Sequence, residues 1–215
     1  MKSILLIGLS RFGKHLLMKL SEMDMDVLLI DADEKKINDM MPYITDAQIG
    51  DSTNESFIAS LGVRNFDICF VAIANDFQSS LETTALLKDY GAKKVIAVAN
   101  RDIHAKFLLR NGADEVIYAE KEMAQRAAIK YCADHVFDYI KLTPGYSIYE
   151  ASVPQNWLGK TVLDIDVRKK YGINILATKK DGELTLIDPI HVFTKDESVL
   201  MLGNDSDIKK FLHLK

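Results

Sequence analysis

A short apolar segment, Ile4–Ile7, leads directly into the glycine-containing turn Gly8-Leu-Ser-Arg-Phe-Gly13. A helix-period segment follows, and then a second apolar segment that ends at Asp31, 18 residues after Gly13. This order suits a nucleotide: glycines allow a tight turn, amides at a helix start face phosphate, and the acid accepts hydrogen bonds from ribose hydroxyls. Ser10 stands where the pattern has its middle glycine. The alternative, a tight turn that binds nothing, is less favoured because Asp31 is also in place.

The alternation of apolar and amphipathic segments continues to about residue 118. It predicts a doubly wound parallel sheet, because strands buried on both faces have continuous apolar sequences. The predicted strands are 4–7, 27–30, 47–49, 68–74, 95–99 and 115–118, and the predicted helices are 14–22, 34–41, 54–61, 79–89 and 105–110. Ser52 and Glu55 have the spacing of a helix capping box. The segment 120–139 is predicted to form one long helix.

Thr143-Pro-Gly145 ends this pattern, and the rest of the chain is rich in strand-like segments. Lys180-Asp-Gly182 predicts a hairpin turn, because Asp-Gly tolerates the positive φ angles that such turns require. The predicted elements are strands at 148–153, 174–178, 183–187 and 199–202, a segment at 161–170 and a closing helix at 207–214. The predicted fold is therefore α/β, with a Rossmann-like domain and linking helix at residues 1–140 and a small α+β domain at 141–215.

Composition excludes several classes of protein. A net charge of −4 and a pI near 5.7 argue against nucleic acid as a partner, since phosphate neutralisation needs a basic face. No segment approaches the roughly 20 apolar residues of a membrane span. Cys69 and Cys132 both lie in apolar-periodic segments, so we expect two buried, reduced thiols.

Two further function classes are weighed against nucleotide sensing. A ligand-responsive transcription factor needs a basic helix-turn-helix, and the sequence contains none. A nicotinamide-dependent oxidoreductase would have the same sequence pattern over the first 140 residues, and this enzyme class is the alternative function. Hydride transfer, however, needs an acid or base in a substrate pocket, and no His, Lys or Tyr motif indicates one. His104 and His135 lie in helix-like segments, where satisfied or exposed histidines are common.

The joint order of five motifs and the small second domain resembles the RCK (KTN plus TrkA-C) regulatory subunits of Ktr and Trk potassium-uptake systems, and the Ktr type most closely. The motifs are Gly8-x-Ser-Arg-Phe-Gly13, Asp31, Gly50-Asp-Ser-Thr53, Gly112-Ala-Asp114 and Ala119-Glu-Lys121. The resemblance covers essentially the whole chain. It implies a non-catalytic cytoplasmic protein, peripherally associated with the inner face of the cell membrane. Such proteins form homodimers that assemble into a homo-octameric ring and gate a potassium-transporting membrane subunit (KtrB-like or TrkH-like).

The resemblance also implies a site for an adenine nucleotide: ATP or ADP, with NAD or NADH as alternatives. Arg11 is expected to reach the terminal phosphate, and a surface charge at a helix start is the alternative. Arg101 is expected to replace a phosphate contact that Val98 cannot make. The full set of implied nucleotide-binding residues is Gly8, Ser10, Arg11, Phe12, Gly13, Asp31, Ala32, Asp51, Ser52, Ala74, Asn75 and Arg101. For Ser52, helix capping is a compatible second role.

Two further sites follow from the resemblance. Glu120 is expected to help bind Mg²⁺ or Na⁺ beside the phosphates, although Ala119 replaces the family's proline and a plain helix N-terminal acid is the alternative. In the small domain, cyclic di-AMP is the implied second ligand, with Arg168 at its phosphate and the adenine between Ile175 and Pro189. Its implied residues are Arg168, Asn174, Ile175, Pro189 and His191. Ordinary surface, strand and turn positions are the alternative for these five.

Overall fold

The computed structural model describes residues 2–23, 25–44 and 46–212. The chain forms two compact units, a first unit that ends at Glu120 and a second unit that begins at Lys121. Within the described residues, no helix is both long and apolar enough to cross a membrane. The predicted boundary between the two domains, after residue 140, lies inside a strand of the second unit. The predicted domain limits stay a prediction.

The first unit contains a six-stranded parallel sheet with the order β3-β2-β1-β4-β5-β6. Its strands are β1 (Ser3–Ile7), β2 (Asp26–Asp31), β3 (Asp46–Ile49), β4 (Ile68–Val71), β5 (Val95–Val98) and β6 (Glu115–Ile117). Side chains alternate across β1: Leu5 and Ile7 pack in one buried cluster, while Ile4 and Leu6 pack in another. Both faces of the sheet are therefore covered, which explains the continuous apolar runs and confirms the predicted doubly wound fold.

Helices connect these strands along the chain. They are α1 (Arg11–Ser21), α2 (Glu34–Met40), α3 (Glu55–Ser60), α4 (Phe77–Asp89) and α5 (Asp102–Arg110). The first four begin at side-chain caps, since Ser10, Asp33, Asn54 and Asp76 each accept a hydrogen bond from a first-turn amide. The capping box predicted at Ser52 is wrong, because Asn54 caps α3 and the Ser52 hydroxyl is bonded elsewhere.

The second unit contains a five-stranded antiparallel sheet with the order β10-β9-β11-β8-β7. Its strands are β7 (Val136–Thr143), β8 (Tyr146–Ser152), β9 (Asn174–Lys180), β10 (Glu183–Leu186) and β11 (Ser198–Asn204). Its helices are α6 (Ala119–Cys132), which starts just before the division, α7 (Val162–Ile165), α8 (Val167–Tyr171) and α9 (Asp205–Phe211). Trp157 lies in the core of this unit, with ring contacts to Tyr171, Phe193 and Phe211. The predicted hairpin is confirmed, with φ of 51° at Asp181 and 87° at Gly182.

Several predicted elements are corrected by the structure. The helix predicted over 120–139 ends at Cys132, and Val136 already belongs to β7. The segment 161–170 contains two short helices, because Asp166 between them is left-handed with φ of 51°. The closing helix ends at Phe211, and Leu214 lies outside the described residues. Cys69 is buried, which raises the pKa of its thiol to about 12, but Cys132 is exposed.

Candidate functional site

A cavity of about 300 Å³ opens in the first unit at the carboxyl ends of β1 and β4. The strand order reverses here, since β2 and β3 extend the sheet on one side of β1 and β4 to β6 extend it on the other. Such switch points are where open α/β sheets bind ligands. Eight residues predicted for the nucleotide lie in the cavity wall: Gly8, Ser10, Asp31, Ala32, Asp51, Ser52, Ala74 and Asn75.

The turn between β1 and α1 requires both of its glycines. Gly8 has φ of +93°, and a Cβ there would lie 2.8 Å from the Ile73 side chain and 2.9 Å from the backbone of Ala72. A Cβ on Gly13 would lie 2.4 Å from the carbonyl oxygen of Gly8. The turn is therefore packed tightly against itself and against the segment that follows β4.

Asp31 ends β2 and is 9% exposed. Its Oδ2 accepts a 2.6 Å hydrogen bond from the amide of Leu9, and its Oδ1 accepts a 2.9 Å bond from the amide of Asp33. The Nζ of Lys36 lies 3.7 Å from Oδ1. The carboxylate thus joins the glycine turn to the start of α2, and the residue lines the cavity.

The segment after β3 supplies another part of the wall. Asp51 accepts hydrogen bonds from the amide and hydroxyl of Thr53, at 2.9 and 2.7 Å, and these bonds lower the pKa of the Asp51 carboxyl. Ser52 is buried, and its hydroxyl lies 2.8 Å from the hydroxyl of Thr83 on α4. This bond places the Ser52 side chain against α4 instead of against the start of α3.

Three polar residues of the cavity wall were not predicted from the sequence: Lys36, Asp76 and Ser79. Asp76 caps α4 by accepting from the amide of Ser79 at 3.0 Å. The Asp-x-x-Ser spacing just after the fourth strand is a cap signal, and a cap at that point must lie at the carboxyl edge of the sheet. Lys36 had no comparable signal, because a lysine in the first turns of a helix is usually a solvated surface residue.

The other four predicted nucleotide residues, and Glu120, do not line the cavity. Phe12 packs against the buried cluster around Leu6, and Gly13 lies within the turn. Arg11 is 93% exposed, and its Nη2 lies 3.6 Å from Oε1 of Glu120, which is 72% exposed. Arg101 lies over the ring of Phe77, 5.0 Å from its centroid. Among the described residues, no three or more His, Cys, Asp or Glu side chains form a group that could hold a metal ion.

A polar network that runs from the exposed Asn100, which follows β5, to buried residues of α4 and α5 supports the cavity. The Nδ2 of Asn100 donates a 2.6 Å hydrogen bond to the carbonyl of Ala74 in the wall. His104 is fully buried, and its ring nitrogens lie 3.3 Å from Oδ1 of Asn100 and 3.1 Å from Oγ of Ser80. Burial, assisted by the charge of Arg101, lowers the pKa of His104. A neutral His104 with both nitrogens bonded has a structural role in the network.

The five residues predicted to bind a second ligand are spread over three segments of the second unit. Arg168 is exposed on α8, Asn174 and Ile175 begin β9, and Pro189 and His191 follow β10. His191 Nε2 lies 3.1 Å from both carboxylate oxygens of the buried Glu197. Within the part of the chain that the structure describes, no hydrogen bond or ion pair joins two of these five residues. A cavity of about 410 Å³ in the same unit, between the end of β8 and α9, is lined by other residues.

Comparison with known proteins identifies the family. Residues 4–119 match the TrkA-N domain family, and residues 148–215 match the TrkA-C domain family. The chain is 38% identical to Ktr system potassium uptake protein C of Bacillus subtilis, over all of this chain and 99% of that protein. It is 36% identical to Ktr system potassium uptake protein A of the same organism, over 98% of this chain and 95% of that protein. The chain belongs to this TrkA-N and TrkA-C family. The family resemblance expected from the motifs is confirmed.

Solved structures agree on the fold. The GsuK channel bound to NAD superposes with a TM-score of 0.72 at 18% identity, over 99% of this chain and 39% of that one. GsuK bound to ADP superposes with a TM-score of 0.54 at 15% identity, over 62% of this chain and 35% of that one. This chain therefore spans well under half of the length of those solved chains. At these identities the likeness establishes an RCK-type fold.

Proposed function

We propose that this protein is the nucleotide-sensing regulatory subunit of a potassium-transporting membrane protein. The observation that carries the proposal is the position of Asp31, which borders the cavity beside the glycine turn with lone pairs available for ribose hydroxyls. This chain matches nearly the full length of relatives that are named potassium uptake proteins, which supports the same transport role for this chain.

The ligand that we propose is an adenine nucleotide, ATP or ADP first and NAD or NADH second. Its ribose would contact Asp31, and its phosphates would extend toward the start of α1, where helix amides favour anions. Arg11 and Glu120 lie together in the same unit at that end of the turn. Among solved structures with this fold, one is named as bound to NAD and another as bound to ADP, which is consistent with either ligand.

We propose no catalytic reaction at this site. Among the described residues, the cavity wall contains no His, Cys or Tyr, and its one lysine, Lys36, lies beside the Asp31 carboxylate. Proton transfer needs a group of suitable pKa within hydrogen-bond reach of the reacting atoms. His104, in the network that supports the wall, is bonded on both nitrogens to structural partners. Turnover of NADH or ATP by the purified protein would favour an enzyme instead.

Finer features of the proposal follow from the family. Glu120 fits a cation such as Mg²⁺ or Na⁺ beside the phosphates, since one carboxylate plus phosphate oxygens is a common donor set. Arg168, with Ile175 and Pro189, is proposed to bind cyclic di-AMP in the second unit. We further propose a homodimer that assembles into an octameric ring at the cytoplasmic face of the membrane, under a KtrB-like or TrkH-like subunit.

The test of nucleotide binding is calorimetric titration of the full chain with ATP, ADP, NAD and NADH, together with thermal melts. A nucleotide at 100 times its Kd should stabilise the fold by about 2.7 kcal/mol if it binds the native state alone. Asp31→Ala should remove most of that stabilisation. Asp26→Ala is the matched control, because Asp26 is an exposed acid at the opposite end of the same strand. If no adenine nucleotide changes the melting temperature of the wild-type protein, the proposal is refuted.

A further inference from the structure

Ser10 is the one departure from the glycine pattern in the turn, and the structure shows what its side chain does. Ser10 caps α1, and its Oγ accepts a 3.3 Å hydrogen bond from the amide of Gly13. Its φ of −61° is ordinary for any residue, so a glycine is not needed here for backbone geometry. In the usual pattern this glycine is needed for a different reason, since it lets a pyrophosphate approach the backbone.

Most amides of the turn are already bonded within the protein. Gly8 donates to the carbonyl of Ile30 at 2.8 Å, Leu9 donates to Asp31 at 2.6 Å, and Ser10 donates to the carbonyl of Ala72 at 3.4 Å. The amide of Gly13 is capped by the Ser10 side chain. Within the described residues, only the amides of Arg11 and Phe12 in this turn have no protein acceptor. These two amides are therefore the ones that can bind phosphate.

The turn cannot move back to make room for a ligand. Its amides hold it to β2, to Asp31 and to the segment after β4, and a Cβ at Gly8 or Gly13 would already collide with backbone. Ser10 lines the cavity, and its Cβ and Oγ, which a glycine lacks, must consequently displace the phosphates outward. The Ser10 hydroxyl can still donate a hydrogen bond to a phosphate oxygen, because its contact with the Gly13 amide uses only a lone pair of Oγ.

A dinucleotide and a mononucleotide respond differently to this displacement. In a doubly wound fold the two nucleosides of a dinucleotide fill the two halves of the crevice and fix the pyrophosphate between them. A mononucleotide is anchored at its adenosine end, so its phosphate chain is free to shift toward solvent. The exposed Arg11 lies on that side.

We infer that Ser10 is a specificity-determining residue that disfavours dinucleotides and favours adenine mononucleotides. This inference rests on the proposed nucleotide site at Asp31 and goes beyond it, because it selects among the nucleotides that the site can hold. The phosphates are bound by the amides of Arg11 and Phe12 together with the Ser10 hydroxyl.

The test is calorimetric titration of the full-length wild type, Ser10→Gly and Ser10→Ala with ATP, ADP, NAD and adenosine. Ser10→Gly opens the approach to the backbone, and it should lower the Kd for NAD relative to that for ATP by about ten-fold or more. Ser10→Ala keeps the Cβ but loses the hydroxyl, so ATP and ADP should weaken by about ten-fold. Adenosine has no phosphate, and its affinity should be the same for all three proteins.

The outcomes separate the two proposals. If wild type binds ATP but Ser10→Gly leaves the ratio of NAD to ATP affinity unchanged, the role of Ser10 is refuted and the nucleotide site stands. An unchanged ATP affinity in Ser10→Ala likewise refutes the hydroxyl contact. If wild type binds none of the four ligands, both proposals fail. Melting curves of the free proteins check folding, and Gly is tolerated at a helix N-cap almost as well as Ser.

Discussion

The two units place their polar groups differently. In the first unit, the carboxyl ends of parallel strands bring polar residues to one edge, and Asp31 and Ser52 are buried there beside a cavity. In the second unit, polar side chains pair with one another: the buried Glu197 with His191, and the half-buried Glu150 with Lys179 and the buried Ser198. A parallel sheet concentrates strand ends at one edge, whereas an antiparallel sheet distributes them. Sheet topology therefore explains why the residues predicted to bind a nucleotide meet at one crevice of the first unit.

The largest effect that we expect comes from a pair of glycine substitutions, one in each unit. Gly8 and Gly182 have similar φ angles of +93° and +87°. A Cβ at Gly8 would lie within 3 Å of Ile73 and Ala72, whereas a Cβ at Gly182 would have no described atom within 4 Å. Gly8→Ala should destabilise the first unit by about 3 kcal/mol, through backbone strain and collision. Gly182→Ala should cost about 1 kcal/mol, through strain alone.

Urea unfolding followed by two probes measures this difference. Trp157 is the single tryptophan and lies in the second unit, so its fluorescence reports that unit, while circular dichroism reports both. Gly8→Ala should shift the circular dichroism transition much more than the fluorescence transition. Equal shifts would show that the units unfold as one, which would break the comparison.

A smaller effect is expected from an ion pair in the second unit. Arg126 donates two hydrogen bonds to Asp138, at 3.1 and 2.9 Å, and they lower the pKa of Asp138 to about 2. Because the folded pKa lies below the ordinary value, the pair stabilises the fold above about pH 4, and this contribution is lost as the pH falls toward 2. After allowance for partial exposure, Asp138→Asn should cost about 1–2 kcal/mol at pH 7.

Trp157 fluorescence during urea unfolding at pH 7 and pH 2 checks this prediction. The wild type and Asp138→Asn should differ at pH 7 and converge at pH 2. An equal difference at both pH values would mean that Asp138 acts through packing and not through its charge.

The smallest effect on stability should come from Arg11. Its contact with Glu120 is long and both side chains are exposed, so Arg11→Ala should leave the melting temperature of the free protein unchanged. If Arg11 binds the terminal phosphate as proposed, the variant should bind ATP about ten-fold more weakly while ADP binding is unaltered. Calorimetry with both nucleotides makes the measurement, and equal weakening of ATP and ADP would contradict the assignment.

The sequence predicted the first unit more fully than the second. Continuous apolar runs marked all six parallel strands, and their alternation with helices was enough to place Gly8, Asp31 and Ala74 at one edge of the sheet. The ends of the strands were predicted less well, because an apolar run indicates which residues are buried and not which residues form hydrogen bonds in the sheet. The run at Ile68–Ala74 illustrates this: β4 ends at Val71, while Ala72 stays fully buried beneath the crevice.

The errors in the second unit have a physical cause. Residues 133–139 combine helix-compatible and strand-compatible residues, and their state is decided by pairing between β7 and β8, which is a tertiary effect. Periodicity also could not assign a structure to 161–170, which contains two short helices on either side of the left-handed Asp166. The position of Lys36 beside Asp31 also depends on how α2 packs, which single-sequence spacing does not contain.

The double attachment of Asp31 has a consequence for the history of such proteins. Its carboxylate bonds the amides of Leu9 and Asp33, so it holds the glycine turn whether or not ribose is present. A descendant that had abandoned nucleotides would still be selected to keep this acid, in order to keep its fold. If nucleotide binding were lost, Arg11 would be substituted first, because its exposed side chain adds little to the stability of the fold. Arg11, and not Asp31, is therefore the position whose identity across relatives should track whether the crevice is still used.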